Sequence, residues 1–334
     1  MSEVVVEGVA GVRVTDQFSA SAFWFFGLLA AAAWLGAAVI TITLPDIFDV
    51  DYTPLLAELE SLVGGLLILA FLLGRRLGRF GVGLRHAGAW FFALGLLLLA
   101  WEALTAKFGI LPRPFFAAPQ KVLAAFVDDW PRLLLCVYYS LRLLTAGVVT
   151  GATLGFLAGV AIGWSPLARY WGHPLLRFIG PIPPTAWLPF AVFAFPNSFS
   201  ASTFLIALAM GMPVAVLTWS GVAAVNSTYY DVARTLGAGE RFLIFKVAIP
   251  AAMPHVFVGM FMGLSFSFAV LMVAELLGVK AGLGWYMQWS QGWSAYGNMY
   301  AALLVLAAMC SGLISLLFLG RDYLLGWQKG MLRW

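Results

Sequence analysis

The sequence predicts an all-α polytopic integral membrane protein with about eight transmembrane helices. Of its 334 residues, 62% are hydrophobic and only 10% are charged, and the mean hydropathy is +0.93. A soluble domain carries roughly a quarter charged residues, so this chain could not cover its own surface in water. Its apolar runs are long and continuous rather than alternating, which indicates helices.

Each predicted helix rests on a run of about 20 apolar residues, the length that crosses a bilayer. The approximate bounds of the runs are 22–44, 56–73, 87–108, 133–163, 174–194, 200–222, 251–277 and 300–320. The first run is about twice as long as the apolar core of a signal peptide, so we expect it to remain as a permanent helix.

The lysines and arginines indicate the orientation, because cytoplasmic loops are enriched in them. A cytoplasmic N-terminus places most of the 19 inside and leaves the acidic loop 45–51 outside. The inside residues are Arg13, Arg75, Arg76, Arg79, Arg85, Arg169, Arg177, Arg234, Arg241, Lys246, Arg321, Lys329 and Arg333. The outside residues are Lys107, Arg113, Lys121, Arg132 and Lys280. Both termini are therefore predicted to be cytoplasmic.

The outside stretch 107–132 is basic, and its second half has a helical pattern. Val122, Leu123, Phe126 and Val127 form an i, i+1, i+4, i+5 stripe, which favours a short helix lying on the membrane surface. A plain connector is the alternative.

Motifs for catalysis, nucleotide binding and metal binding are nearly absent from the sequence. No lysine follows a glycine, so the Gly-Lys-Ser/Thr of a phosphate-binding loop is missing. His86, His173 and His255 lack metal-ligand spacing, and Cys136 and Cys310 lie in separate apolar runs. We therefore expect a transport or channel function rather than an enzyme, with no metal or cofactor bound by this chain.

Two predicted spans carry special backbone features. The fourth span has a glycine every fourth residue, which lets another helix approach one face closely. These glycines are Gly147, Gly151, Gly155, Gly159 and Gly163. The fifth span contains four prolines between residues 180 and 189, so a regular helix cannot continue through it.

Non-helical backbone at membrane depth is tolerated where it lines a cavity, so the break in the fifth span is a candidate substrate pathway. Pro183 and Pro184 form the break, while Thr185 and Trp187 supply a hydroxyl and a stacking surface. A structural kink is the alternative. Charged residues inside spans are costly, and Glu102, Arg142 and Glu275 are the three found there. Arg142 and Glu275 join the pathway candidates, Arg142 as an attractor of anions.

The polar loop 226–250 between the sixth and seventh spans is the most informative segment. Asn226, Ser227 or Thr228 can cap a helix, Gly237 can end it, and an amphipathic piece over 241–247 runs into Pro250. Two short helices that display both charges and apolar residues indicate docking into a groove of a soluble partner. A surface loop without a partner is the alternative.

This loop resembles the EAA loop of ABC importer permeases, whose pattern is Glu-Ala-Ala, three residues, Gly, nine residues, Ile-x-Leu-Pro. Ala233, Gly237 and Pro250 match the pattern, and Asp231 replaces the Glu. Over 85–334 the chain resembles the branch for nitrate, sulfonate, taurine and bicarbonate, although Gly180 stands where this branch usually has Arg.

The supporting segments begin at Pro119 (Pro-Gln-Lys-Val-Leu), Ser140 (Ser-Leu-Arg), Arg177 (Arg-Phe-Ile-Gly-Pro-Ile-Pro-Pro), Ala233 (Ala-Arg-Thr-Leu-Gly-Ala), Ala274 (Ala-Glu-Leu-Leu-Gly) and Gly282 (Gly-Leu-Gly). The resemblance implies a type I ABC importer permease core of six helices over 85–334. Residues 1–84 then form an extra hairpin of two helices with an arginine-rich cytoplasmic loop, and the resemblance assigns this hairpin no role.

The resemblance also implies a mechanism and partners. Two copies of the permease would form the pathway in a bacterial inner membrane, two ATPase subunits carrying ATP and Mg would dock from the cytoplasm, and a periplasmic or lipid-anchored binding protein would deliver a small anion. The EAA loop would couple the ATPases to the pathway, with Tyr230 to Leu236 seated in an ATPase groove and Gly237 making the turn. The coupling residues on this view are Tyr230, Asp231, Ala233, Arg234, Gly237, Glu240, Arg241 and Pro250.

Two other classes remain possible from the residues alone. A secondary transporter or channel would need no ATPase, and its mark is a pair of broken helices in two repeated halves, of which the sequence has only one. A membrane anchor for a complex would use the loop 226–250 for docking only. The transported anion is not determined: nitrate, bicarbonate, sulfonates and aromatic acids all suit the branch.

Overall fold

The computed structural model describes residues 24–48, 50–73, 78–276 and 281–326. Within these ranges every regular element is helical. Several basic residues used for the orientation lie outside them, namely Arg13, Arg75, Arg76, Lys280, Lys329 and Arg333.

Thirteen α-helices can be followed through the described ranges, and we number them in chain order. They are α1 Phe25–Thr43, α2 Thr53–Leu73, α3 Gly78–Glu102, α4 Pro119–Asp128, α5 Trp130–Trp164, α6 Pro166–Ile179, α7 Leu188–Ala194, α8 Ser198–Ala223, α9 Ser227–Thr235, α10 Glu240–Phe242, α11 Ile249–Leu276, α12 Leu283–Gly292 and α13 Tyr296–Leu324. A π-helical turn, Ala103–Lys107, extends α3, a second one, Leu243–Ala248, joins α10 to α11, and a 3-10 turn, Pro184–Trp187, precedes α7.

Seven helical stretches in the described ranges are long and apolar enough to cross a membrane. They are Phe25–Thr43, Thr53–Leu73, Gly83–Lys107, Trp130–Trp164, Ser198–Ala223, Glu240–Leu276 and Tyr296–Leu324. Each coincides with one of the eight predicted spans. The remaining predicted span, the fifth, at 174–194, is not one helix, because the prolines divide it into α6, the 3-10 turn and α7.

The chain divides into two compact units. Unit 1 consists of Met1–Asp128 with Ser294–Asn298, and unit 2 of Asp129–Trp293 with Met299–Trp334. In unit 1, α1 packs against both α2 and α3, around a core of Trp24, Ala30, Ala31 and Leu67. The helix α3, which the sequence assigned to the permease core, therefore lies in the same unit as the N-terminal hairpin. The domain boundary at 84/85 stays a prediction.

The basic stretch that follows α3 is balanced within unit 1 by the acidic loop 45–51. Lys107 Nζ lies 2.9 Å from Asp46 Oδ1, and Lys121 Nζ lies 3.5 Å from Asp51 Oδ2. Lys107 is also buried, so it is not an exposed loop charge as the orientation rule assumed. Pairing with carboxylates explains why a segment predicted to be outside can carry these lysines.

The short helix predicted after the prolines is confirmed as α4. Its buried residues are Pro119, Gln120, Val122 and Ala125, whereas Phe126 and Val127 of the predicted stripe are exposed. The residues of the stripe are thus divided between a buried and an exposed face of α4. Its place on the membrane surface stays a prediction.

In unit 2, the helices α5 and α8 run side by side in the same direction. A methyl group added at Gly147 would meet Ile206, one at Gly155 would meet the backbone of Gly211, and one at Gly163 would meet Val222. Residue numbers rise together along both helices, which defines a parallel pair. Every glycine of the ladder lies against α8, because only the absence of a Cβ allows this approach.

Since α5 and α8 are parallel, the segment between them must return the chain to the other end of the pair. Ring contacts trace this return. The ring centroids of His173 and Trp219, near the end of α8, are 4.7 Å apart, and those of Phe195 and Phe204, near its start, are 5.1 Å apart. The broken fifth span is therefore a crossing without a long helix. The cytoplasmic position of both termini stays a prediction.

The helix α11 packs antiparallel to α8 and carries the chain away from the loop 226–250. A methyl group at Gly259 would lie 3.0 Å from Val214 Cα, and Ser202 Oγ donates to the Ala274 carbonyl oxygen at 3.3 Å. The core of unit 2 lies among these helices and includes Ile206, Met210 and Leu271. Helices α5, α8 and α11 thus form the frame that holds the candidate sites.

Candidate functional site

The loop 226–250 contains a well-defined helix with a cap at each end. The Asn226 side chain accepts from the Thr228 amide at 3.0 Å, so Asn226 is the N-cap of α9 among the three predicted candidates. At the other end Gly237 has a φ of +83°, the Ala238 amide donates to the Ala233 carbonyl oxygen, and the Gly237 amide donates to Arg234. This is a Schellman cap, which requires a left-handed residue at Gly237.

The helix α9 has an outward apolar face. Tyr229, Val232 and Leu236 are 65%, 56% and 83% exposed, and their spacing of three and four residues places them on one stripe. Large apolar side chains exposed together beside charged residues are typical of a protein interaction site.

The inner face of α9 is anchored on α5. The Tyr230 ring meets the Trp164 ring edge-on, with centroids 5.6 Å apart, and both pack against a cluster of Val222, Ala248 and Ala252. Burial raises the pKa of the Tyr230 phenol. Tyr230, which the sequence grouped with the docking residues, therefore faces inward, and the exposed face is formed by its neighbours.

Charged residues of the loop pair with one another across the Gly237 turn. Arg234 lies 3.9 Å from Asp231 and 3.7 Å from Glu240, and all three side chains are more than half exposed. Exposed pairs of this kind contribute only about 0–1 kcal/mol each, so they orient the loop more than they stabilise it. Arg241 is exposed, and Pro250 lies half-buried in the first turn of α11.

A groove of about 520 Å³ separates the end of α5 from the loop. On one side Arg169 donates from Nη2 to the Gly163 carbonyl oxygen at 2.8 Å and from Nε to Ile162, and so caps the C-terminus of α5. On the other side lie Tyr230, Arg234 and Glu240. The sequence analysis did not assign Arg169 or Trp164 to this loop. The signal that could have found Arg169 is a basic residue within two turns after the end of a helix.

The candidate pathway residues of the broken crossing lie in and beside the 3-10 turn. Pro183 is exposed, while Pro184, Thr185 and Trp187 are half-buried. Trp187 meets Phe190 edge-on at 6.0 Å, and its Nε1 has no hydrogen-bond partner among the described residues. The turn thus contains a buried donor that no described residue of unit 2 accepts from.

Arg142 and Glu275 have separate environments. Arg142 is exposed on α5, with its guanidinium 5.1 Å from the Phe199 ring centroid. Glu275 is buried at 1% exposure, and accepts hydrogen bonds from Ser140 Oγ at 2.5 Å and from the Gly284 amide at 2.6 Å. The structure therefore does not bring Arg142, Trp187 and Glu275 into one site.

Glu275 shapes the turn that leads into α12. Ser140 Oγ accepts from the Leu283 amide at 2.9 Å, so Glu275 and Ser140 together hold the start of α12. Gly282 has a φ of +118°, and a side chain there would collide with the Glu275 carboxylate. Among the described residues no group of three or more His, Cys, Asp and Glu is arranged to hold a metal ion.

The fold and the loop define a class of protein: a polytopic membrane protein with a short helical loop between two of its spanning helices. Residues 151–326 match the family described as the binding-protein-dependent transport system inner membrane component. A probable ABC transporter permease protein of Brucella abortus is 30% identical over 244 residues, covering 71% of this chain and 96% of that protein. The chain belongs to this family of ABC transporter permeases.

Relatives with named substrates are also similar to this chain. The nitrate import permease protein NrtB of a Synechocystis species is 28% identical over 67% of this chain and 82% of its own length. The bicarbonate transport system permease protein CmpB of Synechococcus elongatus is 29% identical over 58% of this chain and 68% of its own length. A solved structure of the MetNI methionine ABC transporter aligns with a TM-score of 0.47 and 17% identity, covering 60% of this chain and 98% of that chain.

Proposed function

We propose that this chain is the pathway-forming permease subunit of an ATP-driven importer for a small anion such as nitrate or bicarbonate. Two copies form the pathway in a bacterial inner membrane, two ATPase subunits carry ATP and Mg on the cytoplasmic side, and a binding protein delivers the anion from outside. The proposal is supported by the family membership and by the names of the relatives NrtB and CmpB.

The observation that carries the proposal is the two-faced helix α9. Its outward stripe of Tyr229, Val232 and Leu236 has no covering element among the described residues of unit 2, whereas its inner face is packed on Trp164. A helix with one face free and the other firmly attached to a spanning helix is suited to receive a push from a partner and pass it on.

The route of that push follows from the packing of unit 2. Force on α9 reaches Trp164 at the end of α5, and α5 is in glycine-mediated contact with α8 from Gly147 to Gly163. The π-helical turn then links the loop directly into α11. Three spanning helices therefore move with α9, and ATP drives them only if its affinity differs between the outward-open and inward-open states.

Arg142 is the best candidate for attracting the anion. It lies about 18 Å along α5 from Trp130. Its guanidinium lies beside Phe199 in the first turn of α8, and an arginine that faces lipid within a spanning segment is costly. Its exposure in the single chain is accounted for if a second copy and a water-filled pathway face it. Thr185 and the free Nε1 donor of Trp187 are then further contacts along the broken crossing.

A charge placed on the outward stripe tests the docking role. Val232→Glu is expected to abolish co-purification of the ATPase subunits encoded for this transporter, while the permease still inserts in the membrane. Ser227→Glu, exposed on the opposite side of the same helix, is the matched control and is expected to keep the complex intact. Loss of the complex in both variants, or in neither, would contradict docking through this stripe.

A further inference from the structure

Unit 1 contains a buried polar cluster that the transport mechanism above does not use. We define it by Thr41, Glu60, Glu102, Lys107 and Gln120, all between 0% and 5% exposed. They come from α1, α2, α3, its π-helical extension and α4, so the cluster joins four helices of unit 1. It lies outside residues 151–326, which match the permease family.

The Thr41 hydroxyl is the centre of the cluster. Its Oγ1 lies 2.9 Å from Glu60 Oε2, 2.6 Å from Glu102 Oε2 and 3.0 Å from the Ala37 carbonyl oxygen. A hydroxyl has one hydrogen to donate, whereas an ionised carboxylate and a carbonyl oxygen only accept. If both carboxylates were ionised, at least one of the two carboxylate contacts would join oxygens with no hydrogen between them. At least one carboxyl group must therefore carry a proton and donate to Thr41.

The partners of the two carboxyl groups indicate which one is protonated. Glu102 Oε1 accepts from Gln120 Nε2 at 2.8 Å and lies 3.6 Å from Lys107 Nζ, so a negative charge on Glu102 is well compensated. Glu60 Oε1 is buried and has no hydrogen-bond partner among the described residues. A buried ionised carboxylate left in this way is strongly unfavourable, whereas the unpaired carbonyl oxygen of a neutral acid costs far less.

Among the described residues, the cluster contains no cation besides Lys107 that could offset a second carboxylate. Lys107 is the cation of the cluster, and it already lies 2.9 Å from Asp46 Oδ1 and donates to the carbonyl oxygens of Thr41 and Leu44. Glu58, on the same helix as Glu60, is exposed and lies in a groove that Thr41 also lines. A neutral Glu60 leaves the two carboxylates Asp46 and Glu102 facing Lys107.

We propose that Glu60 is a proton-binding site in unit 1. The bound proton is on Oε2 and is donated to Thr41 Oγ1, and the Thr41 hydrogen is in turn donated to Glu102 Oε2. Thr41 also lines a groove of about 710 Å³ between α1 and α2, together with Thr53, Glu58 and Ser61. This groove provides a route by which the proton exchanges with water. When Glu60 loses its proton, a second buried carboxylate, beside that of Glu102, lies between α1, α2 and α3.

The proposal is tested by infrared spectroscopy of the full-length protein in lipid bilayers at neutral pH. The wild-type protein minus Glu60→Gln difference spectrum is expected to contain the carbonyl band of a protonated carboxylic acid. Glu58→Gln is the matched control: it is expected to keep that band and to lose carboxylate absorption instead. If Glu60→Gln loses carboxylate absorption and keeps the full acid band, Glu60 is ionised and the proposal is overturned.

A second variant covers the case in which Glu60→Gln does not insert. Thr41→Val keeps the side-chain shape and removes the hydroxyl that accepts from Glu60 in the proposed arrangement. We expect the acid band to move to higher frequency, because a carboxylic acid without its acceptor has a stronger C=O bond. An acid band unchanged in both position and intensity would refute the proposed donation to Thr41.

Discussion

The Tyr230 ring meets the Trp164 ring edge-on, with centroids 5.6 Å apart and planes inclined at 74°. This contact joins α9, the helix of the loop 226–250, to the last residue of the spanning helix α5. Aromatic pairs in this arrangement contribute about 0.5–1.5 kcal/mol beyond their burial. This ring contact is therefore one defined point at which the proposed docking helix is tied to the transmembrane frame.

Removing the contact between Tyr230 and Trp164 should weaken the coupling of ATP hydrolysis to anion import. Tyr230→Ala is expected to keep ATP hydrolysis by the assembled transporter but to lower the anion imported per ATP several-fold, because α9 can then move without α5. Tyr230→Phe is the matched control and should behave like the wild-type protein, since it keeps the ring. The measurement is uptake and hydrolysis in the same proteoliposomes, and equal coupling in Tyr230→Ala would contradict this role.

The Gly237 turn provides a test that separates backbone conformation from crowding. A side chain at Gly237 or at Gly239 would meet no atom within 4 Å, but Gly237 has a φ of +83° and Gly239 a φ of −82°. Left-handed backbone costs a residue with a side chain about 1–2 kcal/mol, more for branched ones.

Gly237→Val is therefore expected to reduce complex assembly and uptake, whereas Gly239→Val should leave both nearly unchanged. Affinity purification of the complex followed by an uptake assay measures both effects. An active Gly237→Val transporter would show that the left-handed turn is dispensable.

The parallel packing of α5 and α8 predicts a stability loss on filling the glycine face. A methyl group at Gly155 would collide with the Gly211 backbone, whereas Gly312 on α13 has no atom within 4 Å. Overpacking costs typically about 1–3 kcal/mol, so Gly155→Ala should lower the thermal unfolding temperature in detergent. Gly312→Ala should not, and an equal shift in both variants would contradict the close approach.

Much of this architecture could be predicted from the sequence because the signals are local. Apolar length predicted the seven long helices, and the prolines around Pro183 predicted the break in the fifth span. The parallel course of α5 and α8 could not be predicted, since it depends on which distant segments pair. The buried cluster could not be predicted for the same reason. Thr41 and Glu102 are 61 residues apart, and in the sequence each is an isolated polar residue within a predicted span.

The faces of α9 show the same limit at the candidate site. Its caps and its end at Gly237 follow from residue types at fixed positions, and both could be read from the sequence. The inward position of Tyr230 depends on Trp164, which is 66 residues earlier in the chain. An amphipathic pattern indicates that a helix has two faces, but not which of them the rest of the chain covers.

The bonds around Ser140 predict a second stability effect. Ser140→Ala removes the acceptor of the Leu283 amide and one donor to Glu275, and a buried group left unpaired costs about 1–3 kcal/mol. We expect a clear drop in unfolding temperature. Ser315→Ala is the control, because Ser315 Oγ donates only to the Ser311 carbonyl oxygen of its own helix. Equal stability of the two variants would show that the Glu275 bonds contribute nothing.

Arg142 is expected to affect the anion rather than the fold. Arg142→Ala should lower the apparent affinity for the imported anion at least several-fold without changing assembly, because a positive charge is lost from the pathway. Arg321→Ala is the matched control, since Arg321 also lies over a phenylalanine ring, Phe318, but in the last turn of α13. Unchanged uptake kinetics in Arg142→Ala would remove this residue from the pathway.

The most direct test of the central claim is anion uptake by proteoliposomes that contain the complex purified through this chain, with labelled nitrate and bicarbonate as substrates. We predict that uptake requires the binding protein and hydrolysable ATP, persists when ion gradients are collapsed, and is lost in Val232→Glu. Uptake that proceeds without ATP and follows an ion gradient would contradict the proposal and would identify a secondary transporter instead.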